Sequence, residues 1–269
     1  MSNISRLPAL LPLVCLLLSL AAGAQPNPPK PEASRFTRQV LDDDLNEPME
    51  LAVAPDGVVY YVERPGFVNR LDPKTGTKTR LAKLPVRFLA EDGLMGIALD
   101  PGFTRNRFVY LYFGDPVPEG EQYFNVLARF EISGDSLRQA SRRELLRIPV
   151  THEGVSHSAG SITFDRQGNL YLSTGDNTNP FESGGYSPSD DQPGRARFDA
   201  LRSAGNTNDL RGKILRIHPE PDGTYTIPAG NLFPPGTAGA RPEIYVMGCR
   251  NPYRIHVDGR SNVLYWGEV

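Results

Sequence analysis

One pattern recurs through the chain and limits what it can fold into. Residues 51–62 (LAVAPDGVVYYV), 96–113 (GIALDPGFTRNRFVYLYF), 161–173 (SITFDRQGNLYLS) and 254–266 (RIHVDGRSNVLYW) are built alike. Each is a short apolar run, a polar Asp/Gly turn, then a second run rich in Val, Leu and Tyr. Turn chemistry between two β-rich runs is a hairpin signal. Aligning Ala54, Asp100, Asp165 and Asp258 gives steps of 46, 65 and 93 residues. The first step suits a four-stranded propeller blade of roughly 40–50 residues. The longer steps call for insertions or a further degenerate blade. Residues 66–71, 125–132 and 212–217 supply more strands. A short helix is expected over residues 138–147. The stretch 178–209 is dominated by Gly, Ser, Asn, Asp and Pro, and so long a polar loop in a compact domain is usually functional or mobile.

The pattern predicts an all-β chain: a β-propeller of four-stranded blades, with about four to five blades in residues 36–269. A propeller brings its last blade back to its first to avoid raw sheet edges. The sequence stops just after an apolar strand, so the expectation is an incomplete ring, a piece of something longer. Composition agrees. Gly 26 and Pro 25 in 269 residues suit a fold with many turns. The 29 Lys+Arg against 31 Asp+Glu remove the bulk positive charge that nucleic-acid binding rests on.

Residues 1–24 read as a secretory signal. Arg6 is followed by an apolar run from Leu7 to Leu20 and a small-x-small site at Ala22-Gly23-Ala24. The run is shorter than the roughly 20 residues of a spanning helix, so no membrane span is expected in the mature chain. Val14 before Cys15 argues against lipid attachment. Loss of Cys15 with the signal leaves Cys249 alone and no internal disulfide. Residues 25–35 read as a Pro-rich tether. The expected location is periplasmic or secreted.

Four polar clusters flank the innermost-strand candidates: residues 90–96 with Glu91, the loop with His152 and His157, residues 173–177 with Asp176 and Asn177, and residues 247–252 with Arg250 and Asn251. Arg250 offers a planar fork for a carboxylate, and Asn251 a donor and an acceptor together. His218 and His256 lie in or beside strand patterns and read as structural or surface residues. No His or Cys spacing fits a zinc site, and no metal ligand is assigned.

The segments EDGLMGIALDPGF (91–103), HSAGSITFD (157–165), GNLYLSTGDN (168–177), RGKILR (211–216) and GCRNP (248–252), in this order, resemble the glucose/sorbosone dehydrogenase family of six-bladed propellers. The resemblance runs from about Pro48 to the end. It implies a quinoprotein that uses pyrroloquinoline quinone (PQQ) and calcium to oxidise a sugar at its anomeric carbon. It implies catalytic roles for His157 as general base and Arg250 as electrostatic partner of the quinone. Arg250, Asn251 and Glu91 would border the cofactor, with Asp176 and Asn177 in support. Electrons would pass to a periplasmic cytochrome or quinone. Glu91 departs from the glutamine of the family's glucose enzyme; it would repel a tricarboxylate or pair with Arg250. The family's calcium ligands and the cations that clamp the cofactor's carboxylates are expected mostly beyond Val269. A second reading, from another class, is a non-catalytic secreted propeller that binds carbohydrate or a protein partner.

Overall fold

The computed structural model describes residues 29–151 and 156–269. The signal segment, Cys15 and His152 lie outside the described residues. Residues up to 40 form one compact unit and residues 41–269 another. The described part of the first, residues 29–40, is exposed and carries a single 3-10 turn, Ala33–Arg35.

The regular secondary structure of the larger unit is almost wholly strand. The first sheet runs β1 (Pro48–Val53), β2 (Val59–Glu63), β3 (Phe67–Asp72), β4 (Thr77–Lys83), each strand antiparallel to the one before. The second repeats this order with β5 (Leu94–Leu99), β6 (Phe108–Gly114), β7 (Tyr123–Ser133) and β8 (Ser136–Val150). A one-turn helix, Phe103–Asn106, sits between β5 and β6. The third holds β9 (Ala159–Phe164), β10 (Leu170–Thr174) and β11 (Lys213–Pro219), with β12 (Tyr225–Thr226) and β13 (Ile244–Met247) both on β11. The fourth holds two strands, β14 (Pro252–Val257) and β15 (Leu264–Glu268). Each repeat found in the sequence is thus the first pair of strands of one sheet. Three sheets are full blades and the fourth has two strands, at the low end of the expected four to five.

The repeated Asp has a local cause. Its carboxylate takes the free N–H groups of the turn between the two strands, as Asp100 does for Gly102 (2.7 Å) and Asp165 for Gln167 and Asn169 (2.9 Å each). Asp56 and Asp258 do the same in the first and last sheets. Asp in a turn competes for backbone donors in this way and fixes the reversal.

The expected helix at 138–147 is absent; those residues lie inside β8. Helix-favouring Arg, Glu and Leu are overruled by pairing along β7, whose register runs from Ser133↔Ser136 to Tyr123↔Val150. The signal is the Gly134-Asp135 turn, with Gly134 at φ +57°, which closes a tight hairpin. Once closed, β8 gains a partner for every alternate N–H, and Leu137, Leu145, Leu146 and Ile148 become buried.

The sheets stack face to face in series. Along β6, Val109, Leu111 and Phe113 enter the core against the first sheet, while Tyr110 and Tyr112 enter the core against the third. A strand covered on both faces reads as a continuous apolar run, as this one does. The first strands β1, β5, β9 and β14 lie side by side along the axis. There is no room between them: a Cβ on Gly96 would stand 1.9 Å from the Gly160 carbonyl oxygen. One carboxylate joins them. Glu50 on β1 accepts from the N–H groups of Ile97 (3.0 Å) and Ile162 (3.2 Å) and from the Ser161 hydroxyl. Ser161 Oγ in turn accepts from the Ile255 N–H of β14 at 3.2 Å. Burial pushes the Glu50 carboxyl up to about 7 despite these donors and nearby Arg254.

Candidate active site

His157 precedes β9 in a segment of unusual backbone. His157 (φ +55°), Ala159 (+49°) and Gly160 (+110°) all have positive φ, a region that non-Gly residues rarely adopt and that clusters at functional sites. The sharp turn leaves His157 only 3% exposed. Gly175, just past β10, makes room for it: a Cβ there would lie 1.6 Å from the His157 carbonyl oxygen. That crossing sets the next residue, Asp176, against the imidazole. His157 Nδ1 stands 2.7 Å from Asp176 Oδ1 and 3.2 Å from Thr178 Oγ1. The same Asp176 oxygen also accepts from the N–H and hydroxyl of Thr178, each at 2.8 Å. The Asp176 N–H donates to the Arg250 carbonyl oxygen at 2.8 Å.

A carboxylate on Nδ1 holds the proton there and leaves the lone pair on Nε2. Nε2 is buried and has no hydrogen-bond partner among the described residues. A buried, unpaired polar atom is costly, so Nε2 calls for a partner, water or ligand, that the described residues do not supply. The arrangement can accept a proton at Nε2 and stabilise the resulting imidazolium from behind.

The other residues singled out from the sequence converge here by different routes. Asn251 Oδ1 accepts from the Ala159 N–H at 3.0 Å, pinning the strained turn two residues after His157. Asn177 Oδ1 takes the N–H (2.7 Å) and hydroxyl (3.0 Å) of Thr151. Glu91 Oε2 accepts from the Ser158 N–H at 3.2 Å, and the alternative pair with Arg250 is not made. Arg250 adjoins Asp176 through its backbone, while its guanidinium is exposed and donates to the Val269 carbonyl. Glu268 Oε1 receives the N–H groups of Arg250 (2.7 Å) and Asn251 (2.6 Å).

The sequence reading notes two acids in residues 90–96 but gives a site role to Glu91 and none to Asp92. Asp92 is the wholly buried member of the pair: it is ion-paired with Arg87 and accepts from Ser158 Oγ (2.6 Å) and Asn125 Nδ2 (3.2 Å). Thr178 also went unmarked. His218 reaches Asn169 (3.0 Å), in keeping with a structural role. Cys249 is buried and free, its thiol pushed up to about 11 by burial. Among the described residues no group of three or more His, Cys, Asp or Glu is placed to hold a metal ion.

Two cavities border this cluster. One, of ≈320 Å³, is walled by Asp176, Asn177 and Thr178 on one side and by Asp199, Arg202 and Arg211 on the other. The second, of ≈310 Å³, lies between Arg64, Glu91, Ser158, Ala159 and Tyr253.

Radially stacked four-stranded sheets with a His–Asp pair beside their inner strands define a β-propeller carrying its polar site at the strand ends. Comparison with known proteins gives the family: residues 45–269 match the glucose/sorbosone dehydrogenase model, and the chain belongs to that family. It is 27% identical over 262 residues to the aldose sugar dehydrogenase YliI of Escherichia coli, covering 96% of this chain and 61% of that protein. It is 25% identical to quinoprotein glucose dehydrogenase B of Acinetobacter calcoaceticus, over 83% of this chain and 46% of the relative. The PQQ-bound aldose sugar dehydrogenase of Streptomyces coelicolor superposes with a TM-score of 0.64 at 29% identity, covering 86% of this chain and 58% of that one. The chain therefore spans about half to three-fifths of the length of these relatives.

Proposed function

We propose that this chain carries the base-bearing part of a PQQ-dependent dehydrogenase that oxidises an aldose at its anomeric carbon. The observation that supports this most is the buried lone pair of His157 Nε2, backed by Asp176 on Nδ1. Nε2 takes the proton of the C1 hydroxyl as the C1–H bond gives up its hydride, leaving a lactone. PQQ, when bound, supplies the two-electron acceptor for that hydride. Asp176 holds the ring in orientation and stabilises its charged form, and Thr178 holds Asp176. Arg250, whose guanidinium is exposed on the adjoining loop, would offset negative charge on a bound quinone. Asn251 keeps the His157 turn in place.

The residues fit the quinone end of such a cofactor: an unpaired base with an exposed guanidinium on the adjoining loop. Against three carboxylates the neighbouring cavities add Arg64, Arg202 and Arg211, but Arg64 and Arg211 are already paired with Glu47 and Asp209, and Glu91 adds a negative charge nearby. Calcium, implied by the family resemblance, has no ligand set assigned. We further propose a periplasmic or secreted location, with a cytochrome or a quinone as the final electron acceptor. No helix among the described residues is long and apolar enough to cross a membrane.

The test is reconstitution with PQQ and calcium, followed by dye reduction on a panel of aldoses. Sugar-dependent reduction is expected, and His157→Ala should lower kcat by about 10²–10⁴-fold. Equal turnover by wild type and His157→Ala would remove the reading. The shortage of cations favours a second reading, a propeller that binds saccharide without redox chemistry. Calorimetry showing sugar binding that PQQ does not affect would support it.

A further inference from the structure

Lys213 opens β11 and is wholly buried. Among the described residues its ammonium has no carboxylate in ion-pair contact. It donates instead to three backbone carbonyls: Ser203 (2.7 Å), Ala204 (3.0 Å) and Arg211 (2.8 Å). An ammonium has three protons, and all three are used. The nearest acid, Asp209, is committed to Arg211 through contacts of 2.7 and 3.0 Å.

Those carbonyls belong to the loop that walls the larger cavity with Arg202, Ser203 and Arg211. The Ala204 carbonyl is shared: it also accepts from the Gly248 N–H at 3.1 Å, at the start of the loop that carries Arg250 and Asn251. Gly212, one residue before Lys213, donates to the Gly175 carbonyl (2.8 Å) and accepts from the Cys249 N–H (3.1 Å). Gly175 precedes Asp176, whose own N–H is held by Arg250. The segments that present Asp176 and the Arg250–Asn251 pair therefore join the cavity-wall loop at Gly212 and Ala204, on the loop whose carbonyls the ammonium holds. Gly212 at φ +63° has no slack, since a Cβ there would come within 2.5 Å of the Ala204 Cβ.

We propose that Lys213 is a positioning residue of the site: its ammonium gathers the 203–211 loop, to which the segments of Asp176 and of Arg250–Asn251 are joined by backbone hydrogen bonds, and loss of its proton loosens the Asp176–His157 pair. A neutral amine donates only two protons and turns its lone pair toward the third carbonyl, so one tie becomes a repulsion. The ionisable groups facing Lys213 are Asp209 and Arg211 on its own loop and Cys249 on the next; β10 presents uncharged Thr174 to it. Burial brings the ammonium down to about 8. The inference adds to the function proposed above, but its test needs neither sugar nor quinone, so the two fail separately.

The experiment is NMR on the 269-residue chain labelled with ¹³C at lysine and ¹⁵N at histidine. Between about pH 7 and about pH 9.5, the Lys213 Cε signal and the low-field His157 Nδ1–H proton should move with one shared midpoint. In Lys213→Met the His157 proton should already be displaced or lost at neutral pH, with no alkaline step. Thermal stability separates loosening from unfolding. The folded pKa of Lys213 lies below its unfolded value of 10.5, so this group makes the fold more stable as pH rises from 8 to 10.5. The titration of Lys213 by itself therefore does not lower Tm, and a His157 shift at pH values where far-UV circular dichroism remains that of the folded protein reports loosening rather than unfolding. A folded Lys213→Met protein with the wild-type His157 resonance would overturn the proposal. Should that variant not fold, a wild-type His157 signal that stays fixed while Lys213 titrates, or a Lys213 that keeps its proton throughout, would overturn it as well.

Discussion

Asp176 does more than its position in a Gly-Asp-Asn string suggests. Sequence marks it as a supporting residue, yet it is the carboxylate in contact with His157 Nδ1, and in the proposed mechanism it fixes the proton there. Asp176→Asn keeps the shape but allows an amide N–H to face Nδ1, which favours the wrong tautomer. Activity should fall by about 10²–10⁴-fold, with the His157 Nδ1–H resonance lost. Asp92 teaches the opposite lesson. Beside Glu91 it looks like a second loop acid, and only three-dimensional pairing with Arg87, Asn125 and Ser158 distinguishes the two. Asp92→Ala leaves Arg87 buried without its partner; urea unfolding should show a loss of roughly 3–5 kcal/mol. Glu91 is exposed, and Glu91→Ala should cost less than about 1 kcal/mol in the same assay.

At the scale of elements, alternation and turn chemistry made most strand pairs legible, because Asp at the turn and Val, Leu or Tyr beyond it are local signals. β8 was not legible. Its composition favours a helix, and the pairing that overrules it comes from β7, beyond a two-residue turn. The approach of β9 to the end of β10 was equally hidden, since a glycine does not say which backbone crosses it. At Gly175 that backbone is His157, and Gly175→Ala should be among the more damaging single changes: roughly 3 kcal/mol by denaturant unfolding, with loss of the His157–Asp176 contact.

For the whole molecule, the ring of inner strands is held by a carboxylate that burial makes hard to ionise. The folded pKa of Glu50, about 7, lies above its unfolded value of 4.5. The folded state then binds the proton more tightly, and the stability this confers is complete below about pH 4.5 and lost as pH rises through 7. Glu50→Gln, which mimics the protonated form, should flatten the pH dependence of Tm between those limits and match or exceed the wild type at pH 8. The family motifs marked residues that the structure brings close together, but this axial contact had no sequence signal, since Glu50 lies 111 residues from the hydroxyl it binds.

The two-stranded fourth sheet has a practical use. It bears the sequence's single tryptophan, Trp266, which is 44% exposed on β15 beside Tyr265. The indole is thus an intrinsic optical reporter for that face. Its emission should sit at the long wavelengths of a wetted ring and be readily quenched by acrylamide. Anything that comes to lie over the sheet would blue-shift and shield it, while events at the histidine, on another blade, would leave the spectrum unchanged.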